Sequence, residues 1–221
     1  MSGTPPRHPD DPGTRQLPLA GEPLPLELIN TTYIKGGVRG RLIDALDTPV
    51  GPDSGLARWL ADHREEFSAV LRPALDGAVP SPAHTSRFLE LRGALRDLAA
   101  ARASGGTPGP GDIAVVNAAA RLASPWQELA PGPGFTAVPR WPGTDPLLTA
   151  LGEIALAAVG LFTGDRADLV RACPAPGCVL YFVKAHPRRE WCTPGCGNRV
   201  RVARHSRREK AARPQLPVPH P

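Results

Sequence analysis

The sequence predicts a mostly α-helical chain with a small, separately stapled unit near its C-terminal end. Three observations lead there. Apolar residues recur at helical spacing behind Ser-Pro and Asp-Pro starts over much of the first 170 residues. All four cysteines lie between residues 173 and 196. Charge is uneven: Arg171–Arg213 carries 11 Lys and Arg against 2 Asp and Glu, which leaves 15 and 19 for the remainder. The net charge of +5 therefore hides a mildly acidic body and a strongly basic end. A concentrated positive field steers polyanions toward it whatever the fold. At 221 residues the chain has room for one ordinary domain and a small module. With 41% hydrophobic but only 5% aromatic residues, the core must be built mainly from Leu, Ala and Val.

Residues 1–21 are rich in Pro, Gly and charge and read as a disordered tail. Residues 22–170 read as a helical domain. Its first segment, Leu24–Ile34, is short and apolar, and periodicity does not decide helix from strand. A helix is expected over 54–75, with Ser54 as N-cap and Leu56, Trp59, Leu60 and Phe67 on one face. A second is expected from Ser81, with Pro82 in its first turn and Phe88, Leu91, Leu95 and Leu98 inward. A shorter one follows with Asp112 as cap. Residues 124–143, rich in Pro and Gly, read as a loop with a hairpin around Phe135–Val138. The most apolar helix follows, capped by Thr144 or Asp145, and is expected to be buried on nearly every face. With no run of 18 apolar residues, no membrane span is expected, and the N-terminus lacks the pattern of a secretory signal. A reducing, cytoplasmic location is the expectation, and disulfides are rare there.

The cysteine spacing is Cys173-x4-Cys178-x13-Cys192-x3-Cys196. The first pair encloses Pro-Ala-Pro-Gly, a tight turn that brings two sulfurs together. The second pair stands at i and i+4 across a helix start at Thr193-Pro194, so both side chains share a face. Between them an apolar, strand-like stretch precedes a turn at Pro187. Four thiolates suit one closed, tetrahedral structural zinc. So short a module cannot bury much core, and zinc can contribute on the order of 10 kcal/mol to folding such units. Two disulfides or an iron–sulfur cluster use the same four thiols. His186 and His205 read as solvated side chains, or as a phosphate contact for His205.

Beyond Cys196 the chain runs into arginines. At 100° per residue, Val200 and Ala203 face the metal side, Arg201, Arg204, His205 and Arg208 form an outer stripe, and Arg199, Arg207 and Lys210 flank the metal side. A helix dipole needs only one or two cations, so nucleic acid is the expected partner. A solvated basic face is the bland alternative. Elsewhere Asn30 and Thr31 are candidates for lining a ligand pocket, although short polar residues more often cap or form turns. No nucleophile–base pair, phosphate loop or spaced carboxylate pair stands out, so catalysis is not expected.

Cys196-Gly197-Asn198-Arg199, preceded by Trp191-Cys192 and followed by Val202-Ala203-Arg204-His205, resembles the CGNR zinc-finger family over residues 171–213. The segment "LELINTTY" with Asn30-Thr31, then "GLARWLADH", "FLELRGALRDL" and "VVNAA", is similar to the helical ABATE domain that often precedes that finger. Two departures stand out. Val183-Lys184-Ala185 replaces an Asp-x-Ser motif, and Glu190 is inserted into an Arg-Arg-Trp-Cys pattern. The resemblance implies one zinc on Cys173, Cys178, Cys192 and Cys196; the proline-rich end over 214–221 cannot continue a helix and reads as a disordered tail. The resemblance also implies a bacterial, nucleoid-associated regulator of transcription that contacts double-stranded DNA through Arg199, Arg201, Arg204, His205, Arg207 and Arg208. The helical domain would sense an effector, bind a partner or pair with a second copy. RNA polymerase or another transcription protein is a further expected partner, and a membrane is not. RNA binding, or a zinc-stapled module for acidic proteins, are the alternative readings.

Overall fold

The computed structural model describes residues 17–49, 51–124, 126–140 and 145–212. The expected cap Thr144, the tail over 214–221 and most of the N-terminal tail lie outside them. The ambiguous first segment holds both kinds of structure: helix α1 (Leu24–Ile29) leads at once into strand β1 (Thr32–Lys35). β1 pairs antiparallel with β2 (Arg41–Asp44) through a tip at Gly36–Gly40. Gly36 and Gly37 have φ of 99° and 73°, which side-chain-bearing residues rarely adopt.

The helix expected over 54–75 is broken. Helix α2 (Gly55–Asp62) is capped by Ser54, whose Oγ accepts from Ala57 N at 3.1 Å. A 3₁₀ turn, Arg64–Glu66, then leads to extended Phe67 and a one-turn helix α3 (Arg72–Leu75). Pro73 accounts for the fresh start at α3, since a helix running through it would lose a hydrogen bond and clash one turn back, whereas in the first turn of α3 it is tolerated; the earlier break after Asp62 lies beyond its reach. Phe67 still enters the core. Glu153, reaching from elsewhere in the fold, accepts from Ser68 N and Oγ at 2.9 and 2.5 Å.

Helix α4 (Pro82–Ser104) starts where expected. Ser81 and His84 form a reciprocal cap, and His84 Nε2 lies 2.9 Å from Asp145. Phe88, Leu91 and Leu95 are buried, and Leu98 is half-buried. Helix α5 (Pro110–Ala120) is preceded by Gly109 as cap residue, while Asp112 sits inside its first turn. β3 (Trp126–Ala130) and β4 (Thr136–Arg140) form the exposed hairpin expected around Phe135. Helix α6 (Pro146–Thr163) is capped by Asp145, which accepts from Leu147 and Leu148 N. It is long and apolar enough to cross a membrane, against the sequence expectation, but about half of it is buried here. Leu147, Ala150, Leu151, Ile154, Ala155, Ala158 and Leu161 pack into the core. The opposite face leaves Leu156 and Val159 exposed, so it is not enclosed on every side. Gly152 allows a close approach: a Cβ there would fall 2.5 Å from Ala123 N.

After α6 only a 3₁₀ turn, Ala167–Leu169, separates the helical body from the cysteine module. Strand β5 (Val170–Ala172) pairs with β6 (Tyr181–Val183), and helix α7 (Pro194–Ala212) ends the described chain. Val170 and Val183 belong to the core of the body. The outer edge of β6 is closed by side chains. Asn30 Nδ2 donates to Tyr181 O at 2.9 Å, and its Oδ1 accepts from Tyr181 N at 3.0 Å. Glu22 accepts from Val183 N at 2.8 Å, and Arg189 donates to Val183 O at 3.1 Å. Arg96 donates to Val179 O and Ile29 O at 2.9 and 2.7 Å. Thr31 Oγ1 donates to Leu28 O and accepts from Arg92, which forms a bidentate pair with Asp44. Asn30 and Thr31 are both fully buried; Asn30 joins the body to the module through Tyr181, while Thr31 bonds within the body to Leu28 and Arg92. A ligand-binding role is thereby replaced: their polar atoms are already spent on local backbone and on β6.

Two predictions follow from this packing. Asn30→Ala leaves a backbone donor and acceptor of Tyr181 unmet, and should cost about 1–3 kcal/mol in urea melts of the whole chain. His63 stacks on Trp59 and lies 3.7 Å from buried Glu27. Burial pulls its pKa down, but Glu27 and the Trp59 carbonyl outweigh this and raise it above 6.5. A raised folded pKa stabilises fully below the unfolded value and is lost as pH climbs through the folded one. The stability gap between wild type and His63→Gln should therefore narrow from about pH 6 to about pH 8.

Candidate metal centre and basic helix

Two turns bring the thiols together. In the first, Cys173 leaves β5 with its N–H on Leu180 O at 2.9 Å, and Cys178 N returns to Ala175 O at 3.0 Å. Gly177 closes this turn at φ 68°, and a Cβ there would fall 2.8 Å from Val38 Cα. In the second, Thr193 Oγ1 accepts from Cys196 N at 3.2 Å, an N-cap that starts α7 with Pro194 next in line. Cys192 therefore stands just before the helix and Cys196 within its first turn. Gly197 is demanded by Trp191, whose ring carbon would lie 3.0 Å from an added Cβ.

The four sulfurs all lie within 4.8 Å of one another. Cys178–Cys192, Cys192–Cys196 and Cys178–Cys196 are 3.7, 3.3 and 3.8 Å apart. A zinc tetrahedron with Zn–S bonds of about 2.3 Å has edges of about 3.8 Å, so the thiols fit the ion. No disulfide links them. Their electrostatics also call for a cation. Hydrogen bonds from Cys178 and Cys192 hold Cys173 down to about 2. The Cys173 side chain pushes Cys178 up to about 11, and Cys173 and Cys178 together push Cys192 up. Thiols this close cannot all ionise on their own, and a dication lets them do so. The site holds one structural zinc ion.

Arg199 is drawn into this centre. Its Nη2 lies 2.8 Å from Cys196 Sγ, three residues earlier on the same helix face. Burial is the largest single influence and lowers its pKa, but the hydrogen bond to Cys196 and the charges of Cys196, Cys178 and Cys173 together outweigh it and raise it. Its stem runs across the β1–β2 tip, 3.5 Å from where a Cβ on Gly37 would sit. The sequence expectation put Arg199 on nucleic acid. The structure turns its guanidinium inward, because an anionic thiolate cluster lies within reach. Arg201, Arg204, His205, Arg207 and Arg208 are exposed, with Val200 buried and Ala203 half-buried beneath them. His205 and Glu209 approach at 3.3 Å.

Sequence reasoning missed Arg189. It lies 4.9 Å from the Phe182 ring centroid, donates to Cys192 O at 3.2 Å, and pairs with Glu22. The doubled arginine ahead of Trp191 was the available signal. Its partner Glu22 is 161 residues from Val183 in sequence and could not be seen from there.

One zinc per chain is expected in elemental analysis, with Cys192→Ser losing it. Arg199→Ala should release zinc to a chelator about tenfold faster or more, and Arg199→Lys should fall between. Equal release rates in all three would mean that Arg199 does not support the metal.

Comparison with protein families matches residues 22–165 to ABATE, described as "Putative stress-induced transcription regulator". Residues 170–209 match the CGNR zinc finger. Comparison with curated proteins gives no match. The first match covers most of the chain and follows its helical body, and the second begins at β5 and covers all four cysteines. The chain belongs to the ABATE family and carries a CGNR zinc finger at its C-terminal end.

Proposed function

We propose that the protein is a DNA-binding transcriptional regulator that lays α7 in the major groove. The observation that carries this reading is the exposed side of α7, where Arg201, Arg204, His205, Arg207 and Arg208 stand with Glu209 as the one acid. At 1.5 Å per residue the 19-residue helix is about 28 Å long, and a major groove admits one such helix. The zinc centre fixes where the helix starts, so its cations are presented from an anchored base. Arg201, Arg204 and Arg208 share the outer stripe and act as base readers. Arg207 and His205 reach phosphates beside them. In this reading the protein acts as a binder, not an enzyme, and works in the cytoplasm on the nucleoid. The helical body would bind an effector, a partner such as RNA polymerase, or a second copy.

The test is binding of single alanine variants to cognate and random duplexes across a salt series, with the cognate site taken from genomic binding of the tagged protein. Loss of a phosphate contact lowers the salt slope by about 0.9 on both duplexes. Loss of a base reader costs about 1–3 kcal/mol on the cognate duplex with little effect on random DNA. At least one of Arg201, Arg204 and Arg208 should behave as a reader. If all three variants bind both duplexes like wild type, α7 is not the recognition element. Co-purification of acidic proteins, or crosslinking to RNA alone, would point to a different partner.

A further inference from the structure

We propose that the β1–β2 hairpin of the helical body is a second DNA-contacting element, a basic wing that grips the phosphate backbone beside α7. The proposal rests on the DNA-binding reading above and extends it to a part of the chain outside the zinc finger. Three observations carry it. The first is charge. Lys35, Arg39 and Arg41 fall within seven residues and all are exposed, with no acid between them. None of them enters an ion pair among the described residues.

The second is register. Lys35 and Arg41 are directly opposed partners across the two strands. Like charges in that position repel and destabilise a hairpin. A counter-charge supplied from outside relieves this, and a phosphate backbone is a dense source of it. The exposed Val38 and Leu42 beside these cations add apolar surface suited to the sugars between phosphates.

The third is placement. The hairpin tip does not hang free of the zinc finger. Gly177 of the first cysteine turn packs against Val38 and Gly37, where a Cβ would fall 2.8 Å from Val38 Cα and 3.1 Å from Gly37 O. Arg199, in the first turns of α7, runs along Gly37 while its guanidinium holds Cys196. The tip is thus fixed to the metal centre at the base of the basic helix. The hairpin cations of the body and the arginines of the finger are therefore held close together around the base of α7.

The test uses the full zinc-loaded chain and a triple variant, Lys35→Ala/Arg39→Ala/Arg41→Ala, with random duplex DNA over a salt series. All three side chains are exposed, so zinc content should match wild type, and the melting temperature should be equal to or slightly above wild type because the Lys35–Arg41 repulsion is gone. If three phosphate contacts are lost, the salt slope falls by about two to three. Charge reversal at Arg39 alone, Arg39→Glu, should weaken binding more than Arg39→Ala. A triple variant with the wild-type slope and affinity overturns the proposal, while weakened α7 variants in the same assay would leave the DNA-binding reading standing. If the wild-type chain itself binds no duplex, that reading fails and the wing fails with it. If the hairpin variants instead lose an acidic protein from a pull-down and keep the DNA slope, the wing serves that partner and the proposal is overturned.

Discussion

The free edge of β6 is the constraint on which the architecture turns. Each strand of a two-stranded sheet leaves one row of backbone donors and acceptors without a neighbouring strand, and such an edge must be covered or it will pair with something else. Here no third strand comes. Asn30 takes both groups of Tyr181, Glu22 takes the Val183 N–H, and Arg189 takes the Val183 carbonyl. Two of those three side chains come from the helical body. The sheet that carries the first cysteine is therefore complete only when the body is folded against it.

The second requirement is the thiol cluster, and the two are mechanically linked. Arg189 touches the carbonyl of Cys192 as well as Val183 and Glu22. A smaller core around Leu19, Tyr33, Leu180, Phe182, Cys173, Cys192, Cys196 and Val200 lies between metal and body. Metal binding and packing of that core thus stabilise the same surface. The sequence reading divides the chain into a free-standing body over 22–170 and a self-contained finger over 171–213. It does not capture the interface, because the residues that make it are far apart in the chain.

What was legible in the sequence had local causes. Ser81-Pro82 and Asp145-Pro146 announce their helices because capping is a contact within one turn, and the four cysteines announce their centre by spacing alone. The latter part of the 54–75 segment was misjudged because its apolar spacing persists through Pro73, where periodicity and backbone chemistry disagree and the backbone wins. Asp112 was taken as a cap because caps and first-turn acids use the same residue type. Asn30 was a more instructive miss. A fully buried amide near the start of a domain reads as a pocket residue when its partners are unknown, and its partner stands 151 positions away. Helical angle puts Arg199 on the flank of the metal side, but angle alone carries no information on the thiolate that draws its guanidinium inward.

The short joint between α6 and β5 has a consequence for how the two parts move. Six residues, half of them a 3₁₀ turn, leave no tether between them. The zinc centre and α7 cannot swing on a leash while the body stays put; they turn with it as one piece. The distance between the α7 helices of any two copies would accordingly be set by how the bodies dock.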